Sequence, residues 1–459
     1  MKMKSTQKKF KFSSNIYLIL FFAIILLSLN LRAQTICTVA GNGTNTFSGD
    51  GGAASISGIP NPNFISTDLA GNIYLFNNNK VRKITSDGTI TTIAGDGNHR
   101  PPIMGAQATN SGLYGCNAMA VDDLGNIYIA DNSNKAYKIT NTGLIDSFTG
   151  GGGVGEYDFP TLATNADYMG GIGGLSHDHK NNIYVAATWD CIVGQISPMG
   201  IISTYAGGEN RSHSGWCGFA GDGGAATSAK LNSINIITVD SIGNLYIVDN
   251  GNARIRKVRT DGIISTIAGI GIYGYSPDGI PATNARIGNI QGMAVDNSGN
   301  VYFTTDNSIR KISNTGYLYT IAGNNSNTGG FDGDGGPATV ALLNKPGGLS
   351  FDKCGNLYVA DRGNHRIRKI AFNPDCGQLE IYEANQTSNL LIYPNPTNQK
   401  VNISSSNKIE SISITNTLGQ VLFQNNYMSY NIQIDVDSLP RGIYFIKINN
   451  KIDKKFIKD

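Results

Sequence analysis

The chain has 459 residues, of which 57 are glycine and only 15% are charged. The glycines do not recur at every third position, which excludes a collagen-like fold, and the 21 Tyr and 17 Phe exclude wholesale disorder. Abundant glycine beside many β-branched and aromatic residues predicts an all-β chain, and it excludes an all-α bundle and a doubly wound α/β fold.

Residues 1–33 have the pattern of an export signal peptide. Several lysines precede a short apolar core over residues 16–29, and Ala33 provides a small residue at the predicted cleavage site. The apolar run is short for a membrane span, so a membrane anchor is the less favoured alternative and no span is expected after cleavage. The signal holds six Lys and Arg and no acids, which leaves 30 basic and 33 acidic residues, a net charge of −3, in the mature chain. This balance gives no indication of a nucleic acid partner.

Residues 34–376 contain an internal repeat, and each copy includes an Asn-apolar-Tyr element. The six tyrosines of this element are Tyr74, Tyr128, Tyr184, Tyr246, Tyr302 and Tyr358. A Thr-Ile-Ala-Gly-like element ends five of the units, whereas its sixth copy stands at the start of the repeat region, over residues 38–41. Each unit has the pattern of four strands joined by tight turns. We therefore predict a six-bladed β-propeller, in which the strand near Ile36 completes the last blade beside residues 366–370.

Three basic stretches give the repeats a family resemblance. Residues 364–369, 252–257 and 81–83 resemble the signature of NHL repeats. The resemblance implies an NHL-type propeller over residues 34–376. NHL propellers include RNA-binding modules, protein-docking modules and a few enzymes, so the fold by itself does not choose a function. In the Arg-Ile-Arg-Lys strands, alternation favours a solvated blade face over a nucleic acid surface.

Residues 389–459 follow a polar linker over residues 377–388, and they lack the Gly-rich repeats of the preceding region. About seven short strands with period-2 alternation predict a small Ig-like β-sandwich. The segment resembles the C-terminal sorting domain of type IX secretion substrates, on the residues Tyr393, Pro394, Asn395, Pro396, Gly419, Gly442 and Tyr444. The resemblance implies recognition by the type IX machinery, and secretion or attachment at the outer-membrane surface of a Gram-negative bacterium. A generic adhesive sandwich is the alternative.

An exported chain with six cysteines can form disulfides. Cys37 lies on the strand that closes the ring, and Cys376 lies just beyond the last strand of blade 6, so we predict that they are bonded. We predict a second bond between Cys191 and Cys217, which should lie on one rim. The two remaining cysteines, which we expect to be free and buried, are Cys116 and Cys354.

Candidate metal ligands are sparse. Weak calcium candidates lie in the acidic Gly-rich loops between blades, and they are Asp50, Asp222, Asp332 and Asp334. Fixing the turn is the favoured role for these residues. A zinc site could draw on histidines of one face, which are His99, His213 and His365. Central asparagines could contribute to an axial calcium site, but Asn117, Asn235 and Asn289 do not make a full set.

The loops around blades 3 to 5 are rich in aromatic residues. The candidate ligand contacts are Trp216, Phe219, Tyr205, Tyr273 and Tyr275. Packing within the loops is the favoured role of these rings, but exposed aromatic rings also stack on sugars or anchor a protein partner. We therefore interpret the protein as a monomeric binding scaffold for an extracellular protein or glycan. The alternative is a metal-dependent lyase or lactonase with its site at the propeller axis. It is less favoured because the sequence shows no nucleophile–base pair and no complete set of metal ligands.

Overall fold

A computed structural model describes residues 34–150, 160–166, 168, 171–208, 217–324, 328–372, 391–393, 397, 399–416, 420–449 and 452–458. The chain divides into two compact units, Met1–Leu379 and Glu380–Asp459. The predicted signal peptide and the predicted linker lie outside the described residues.

The described part of the first unit forms six antiparallel sheets, one for each repeat. From the innermost strand outward, blade 1 consists of Phe64–Thr67, Ile73–Asn77, Lys80–Ile84 and Thr89–Ala94. Blade 2 consists of Ala118–Val121, Ile127–Ala130, Ala136–Ile139 and Ile145–Thr149. Blade 3 consists of Ile172–His177, Ile183–Ala187, Ile192–Ile196 and Ile201–Ala206. Two-residue edge strands, Gly52–Ala53 and Thr161–Leu162, extend blades 1 and 3.

The remaining blades follow the same order of strands. Blade 4 consists of Ile234–Val239, Leu245–Asp249, Arg254–Val258 and Ile264–Ala268. Blade 5 consists of Ile290–Val295, Val301–Thr305, Ser308–Ile312 and Leu318–Ala322. Blade 6 consists of Leu349–Phe351, Leu357–Asp361, Arg366–Ala371 and, as its outermost strand, Thr35–Ala40.

The ring closes between the two ends of the repeat region. Ile36 pairs with Ile370, so the first strand completes blade 6 as the sequence predicts. The innermost strands of blades 6 and 1 also meet, since the amide of Thr67 donates to Ser350 Oγ at 3.1 Å. The predicted all-β fold with a six-bladed NHL-type propeller is confirmed.

Short 3-10 helices connect the blades. Six of them precede the innermost strands, and they are Ala54–Ile56, Ala108–Asn110, Ala163–Asn165, Ala226–Ser228, Ala282–Asn284 and Ala338–Val340. Two more, Asn250–Asn252 and Arg362–Asn364, lie between the second and third strands of blades 4 and 6. No helix within the described ranges has the length and apolar character needed to cross a membrane.

A buried polar network explains the repeated Asn-apolar-Tyr element. In blade 4, Asp240 accepts hydrogen bonds from the amide and Nδ2 of Asn244 at 2.8 and 2.7 Å, and from the Tyr246 hydroxyl at 3.1 Å. The other five blades repeat this arrangement with Asp68–Asn72–Tyr74, Asp122–Asn126–Tyr128, Asp178–Asn182–Tyr184, Asp296–Asn300–Tyr302 and Asp352–Asn356–Tyr358. Burial and the adjacent carboxylate raise the pKa of Tyr246, which keeps its hydroxyl a donor.

The second unit has fewer and longer strands than the sequence predicts. Its five described strands are Leu391–Tyr393, Lys400–Thr415, Val421–Asp435, Gly442–Ile448 and Ile452–Lys458. The prediction of about seven strands was wrong in number because the second and third strands each run through two predicted ones, with irregular pairing between Ser404 and Ile409. Both halves of these long strands contribute to one core, which includes Ile403, Ile412 and Ile434. The small β-fold of the sorting domain is present.

Candidate functional site

Buried arginines hold the Asp residues of the Gly-rich loops. Asp222 Oδ1 accepts from Arg256 Nη2 at 2.8 Å, and its Oδ2 accepts from Thr266 Oγ1 at 2.7 Å. The Arg256 side chain is fully buried, so its charge needs this partner. We call this arrangement the Arg–Asp latch. Blades 1, 5 and 6 contain the same latch, in the pairs Asp50–Arg82, Asp278–Arg310 and Asp334–Arg368.

The latch corrects the calcium hypothesis. Asp50, Asp222 and Asp334 each neutralise a guanidinium, and they do so in three different blades. Asp332 has a local role instead, because its Oδ1 accepts from the Gly333 amide at 2.7 Å and fixes the turn. Within the described residues, no three His, Cys, Asp or Glu side chains form a group that could hold a metal ion.

The Arg-Ile-Arg-Lys strands do not present the solvated cationic face that their alternation predicts. Arg256 and Arg368 are fully buried in latches. Arg254 stacks on a neighbouring ring, with its Cζ 3.8 Å from the centroid of Phe219. The signal that could have revealed the latch is the spacing between each Asp and its Arg. It is 32 residues in blades 1 and 5 and 34 residues in blades 4 and 6.

The structure separates the predicted aromatic contacts. Tyr205 lies on the outermost strand of blade 3 and packs edge-to-face on Tyr184, with centroids 4.9 Å apart, within the core between blades 3 and 4. It therefore contributes to packing, and its role in ligand contact stays a prediction. Trp216 lies outside the described residues. The three remaining rings are exposed by 44 to 56% on the loops that enter blades 4 and 5, and they are Phe219, Tyr273 and Tyr275.

A further exposed aromatic residue, which the sequence did not predict as a ligand contact, lies beside a disulfide. Cys191 and Cys217 are bonded, with their Cα atoms 5.6 Å apart, as the sequence predicts. The carbonyl oxygen of Trp189 lies 3.6 Å from Cys217 Sγ, and the Trp189 side chain is 69% exposed. The only signal in the sequence for this ring is its position two residues before a cysteine.

Contacts continue from this disulfide across blade 4. The carbonyl of Gly218 accepts from Asn252 Nδ2 at 2.6 Å, and the carbonyl of Asn250 accepts from the Tyr273 hydroxyl. Exposed rings of blades 3, 4 and 5 are thus joined on the face that carries the inter-blade loops. We name these rings the aromatic surface, which consists of Trp189, Phe219, Tyr273 and Tyr275.

The other cysteines have separate environments. Cys37 is exposed and is in no disulfide within the described chain, and its predicted partner Cys376 lies outside that part, so their bond stays a prediction. The Sγ atom of Cys116 lies 3.3 Å from the Ala118 carbonyl, and burial raises the pKa of this thiol. Cys354 lies in the first turn of blade 6.

An axial cavity of about 430 Å³ runs between the innermost strands of the six blades. Asp123, His177 and His179 lie at its mouth, where the His179 Nδ1 atom is 2.8 Å and the His177 Nε2 atom 3.5 Å from the carboxylate. Burial lowers the pKa of His177, although Asp123 opposes this effect. Burial alone would raise the pKa of Asp123, but the hydrogen bond from His179 and the two imidazoles lower it overall.

The predicted zinc and axial calcium residues do not converge in the described structure. His99 stacks on Tyr114, with centroids 4.3 Å apart, whereas His365 Nδ1 accepts from the amide of Asn61 at 3.1 Å. His213 lies outside the described residues. Among Asn117, Asn235 and Asn289, only Asn235 lines the axial cavity.

Part of the sorting motif is described. Gly442 begins a strand, and the hydroxyl of the buried Tyr444 donates to the Pro440 carbonyl at 2.6 Å, which ties the strand to the preceding turn. Tyr393 ends the short first strand of this unit. Three consecutive motif positions and one glycine lie outside the described residues, and they are Pro394, Asn395, Pro396 and Gly419.

Sequence comparisons agree with both units. Residues 391–459 match the Secretion system C-terminal sorting domain, residues 343–370 match the NHL repeat, and residues 210–276 and 273–330 match the Teneurin NHL domain. Human Teneurin-4 is 28% identical over 236 residues, which cover 47% of this chain and 8% of that protein. Teneurin-m of Drosophila melanogaster is 26% identical over 324 residues, or 65% of this chain and 11% of that protein. The chain therefore spans only a small part of these relatives.

Solved structures share the fold of the propeller. A protein of unknown function from Bacteroides thetaiotaomicron has a TM-score of 0.54 at 18% identity, and the match covers 74% of this chain and 76% of that one. An auxiliary nutrient binding protein from the same organism has a TM-score of 0.53 at 17% identity, with the same coverage. At these identities the likeness concerns the fold alone.

The six closed sheets and the repeat matches define a protein of the NHL-repeat propeller class. The chain is an NHL-repeat β-propeller protein with a C-terminal type IX sorting domain. This domain indicates secretion or cell-surface attachment through the type IX system.

Proposed function

We propose that the protein is a secreted or cell-surface scaffold whose aromatic surface binds an extracellular protein or glycan, after export through residues 389–459. The observation that carries this proposal is the aromatic surface itself. Its four rings are exposed by 44 to 69%, and they lie on the loops of three successive blades. Large aromatic side chains beside arginine are the residue types that dominate binding energy at interfaces.

Three of the four rings are also held in place before any ligand arrives. Phe219 stacks on Arg254, the Tyr273 hydroxyl donates to the Asn250 carbonyl, and Tyr275 lies 4.8 Å from the Arg310 guanidinium. A surface that is already ordered loses less conformational freedom on binding, and more of the contact energy is left for affinity. The auxiliary nutrient binding protein with a similar fold offers a precedent for ligand binding by such a propeller.

Glycan and surface-protein arrays probed with the mature chain test this proposal. We expect Trp189→Ala and Phe219→Ala each to weaken binding of the ligand found by at least about tenfold, because each removes a large aromatic side chain that the bound ligand would cover. Ile242→Ala is the matched control, since Ile242 is 75% exposed on the turn between the first and second strands of blade 4. Equal binding by all three variants would refute the role of the aromatic surface.

The axial cavity supports a second candidate function, a lyase or lactonase. A carboxylate that orients an imidazole is the arrangement of a general base, and Asp123 and His179 have it at the cavity mouth. Turnover of a lactone panel should then be lost in His179→Gln and kept in Trp189→Ala. Absence of turnover by the wild-type chain removes this candidate.

A further inference from the structure

Blades 4 and 6 share one way of satisfying a buried polar side chain at the end of the second strand. In blade 4 this strand ends at Asp249, which accepts from the Asn232 amide at 2.7 Å and from Asn252 Nδ2 at 2.8 Å, and which lies 3.3 Å from Arg256 Nη1. In blade 6 the same three partners surround Asp361, and they are Asn344, Asn364 and Arg368. A fully buried polar side chain is thereby given a complete set of hydrogen bonds.

Blade 1 lacks two of these three partners. Its second strand ends at Asn77, which pairs with Lys80, so the turn has two residues where blade 4 has the four between Asp249 and Arg254. The shorter turn omits the residue that corresponds to Asn252. Pro60 occupies the position that Asn232 has in blade 4. Pro60 lies five residues before Ile65 and Asn232 lies five residues before Ile237, and these two isoleucines have equivalent pairing partners in the second strands of their blades. Proline has no N–H to donate.

The third partner, Arg82, is present in blade 1 but makes no hydrogen bond to Asn77 in the described structure. Its Nη1 atom donates to the Gly58 carbonyl at 3.0 Å, as Arg256 and Arg368 donate to the equivalent carbonyls in blades 4 and 6. Asn77 is only 2% exposed, and among the described residues neither its Oδ1 nor its Nδ2 has a hydrogen-bond partner. Burying a polar group without a hydrogen-bond partner destabilises the folded state, so its presence in a folded blade needs an explanation.

Asn77 lines a cavity of about 360 Å³ on the face that carries the inter-blade loops. The other polar side chains of the wall are the thiol of Cys116 and four amides, which belong to Asn45, Asn61, Asn63 and Asn78. Phe47, Phe64 and Phe76 form the apolar part of the wall. No described residue of this lining carries a charge. We call this site the Asn77 cavity.

We propose that the Asn77 cavity binds a neutral saccharide. A primary amide is both donor and acceptor, which matches hydroxyl groups that also do both. Sugar rings present apolar C–H faces, which suit the phenylalanine side of the wall. The volume lies within the range of small-ligand sites. A phosphate or carboxylate ligand would find no cation in the wall, and an amine would find no carboxylate.

Blade 5 provides an internal comparison. Its turn is equally short, since Thr305 pairs with Ser308, and a cavity of about 260 Å³ opens at the corresponding place. Its wall contains Arg286, Asp306 and Arg310, so it is charged where the Asn77 cavity is neutral. Turn length therefore creates the space, and the side chains around it set the class of ligand.

Calorimetric titration of the mature full chain with gluco-, galacto- and manno-configured disaccharides tests the proposal. We expect one-to-one binding of at least one neutral disaccharide, and a loss of at least about tenfold in Asn77→Leu, because the bound hydroxyls lose their partner. Asn77→Leu should melt at the same or a higher temperature than the wild type, since it removes an unsatisfied amide. A purely structural asparagine would give the opposite shift.

Two controls locate disaccharide binding at this site. Thr305→Val changes the matching position of blade 5, and Ile242→Ala changes an exposed side chain on a turn of blade 4, so neither should affect disaccharide binding. The proposal is overturned if no neutral disaccharide binds, if a glucuronate-containing sugar or a trialanine peptide binds more tightly, or if Asn77→Leu binds like the wild type. These outcomes leave the proposed role of the aromatic surface untouched.

Discussion

Blades 4 and 3 attach their surrounding loops by different means. In blade 4, the buried Arg256 holds Asp222 of the preceding loop. Blade 3 has Gly194 at the position of Arg256. Gly194 pairs with Val185 and Arg256 pairs with Ile247, and each of these partners directly follows the repeat tyrosine of its blade. A disulfide at Cys191 instead ties blade 3 to the loop that follows it. The same blade fold thus accepts an ionic or a covalent attachment.

Blade 2 shows that the two charges of the latch disappear together. The buried Tyr137 occupies the position of the arginine, since it pairs with Ile129, and the loop carries Met104 at the position of the aspartate. Neither charge is left without its partner, which would be costly in a buried site. The Asp–Asn–Tyr network is kept in all six blades, so the variation among blades is concentrated in the loop attachments.

The largest effect should come from breaking a latch. Arg256→Ala leaves Asp249 fully buried without its cation, and we expect a loss of about 3–5 kcal/mol in the free energy of unfolding of the propeller. Urea denaturation of the mature chain measures it. Arg259→Ala is the control, because Arg259 and Asp261 form an exposed pair and should matter far less. Equal losses in the two variants would contradict the latch.

Removing the covalent attachment of blade 3 should have the next largest effect. The Cys191–Cys217 bond closes a loop with a sequence separation of 26 residues. The loss of chain-entropy restraint in a Cys191→Ser/Cys217→Ser variant should lower the free energy of unfolding by about 3–4 kcal/mol. Denaturation with and without a reductant gives the matched comparison, since the reductant should destabilise the wild type by more than the variant, in which only the predicted Cys37–Cys376 bond can be reduced. Equal effects of the reductant on the two proteins would show that the Cys191–Cys217 bond contributes nothing.

The closure of the ring was predictable from the sequence because it depends on repeat order alone. The displaced element at residues 38–41 required a partner strand, whatever the side chains around it. The burial of Arg256 was not predictable in this way, because charged residues are normally exposed and its Asp lies 34 residues earlier.

The features of the candidate sites were harder still. Trp189 belongs to no repeated motif, so no pattern separated it from other loop residues. The Asn77 cavity arises from a missing N–H at Pro60 and from a short turn, and absent groups leave no motif. The sequence also did not predict that neighbouring strands of the sorting domain are continuous. The polar stretch after Ile403 has the pattern of a turn, although the strand continues through it.

The pH dependence of blade 6 sharpens its comparison with blade 1. Burial raises the pKa of Asp361 from 3.8 to about 6, against the effects of Asn364, Asn344 and Arg368. Because the folded pKa exceeds the unfolded one, the contribution of Asp361 to stability is full below the unfolded pKa and is lost as the pH rises through 6. We expect the stability difference between the wild type and Asp361→Asn to grow by up to about 3 kcal/mol between pH 7 and pH 4.

Melting temperatures of both proteins across this pH range provide the measurement. The neutral Asn77 holds the corresponding place in blade 1, so Asn77→Leu should parallel the wild-type pH profile and serves as the control. A difference between wild type and Asp361→Asn that shrinks on acidification would show that the carboxylate is stabilising in its charged form.

The smallest expected effect concerns the network that all blades share. Tyr246→Phe removes one of the donors to Asp240, while both hydrogen bonds from Asn244 remain. The free energy of unfolding should therefore fall by only about 1 kcal/mol. Tyr128→Phe in blade 2, which lacks the latch, has an equivalent bond of 3.1 Å to Asp122 and should cost the same. A clearly larger loss in blade 2 would mean that the network compensates there for the missing latch, and that the core and the loop attachments are not independent.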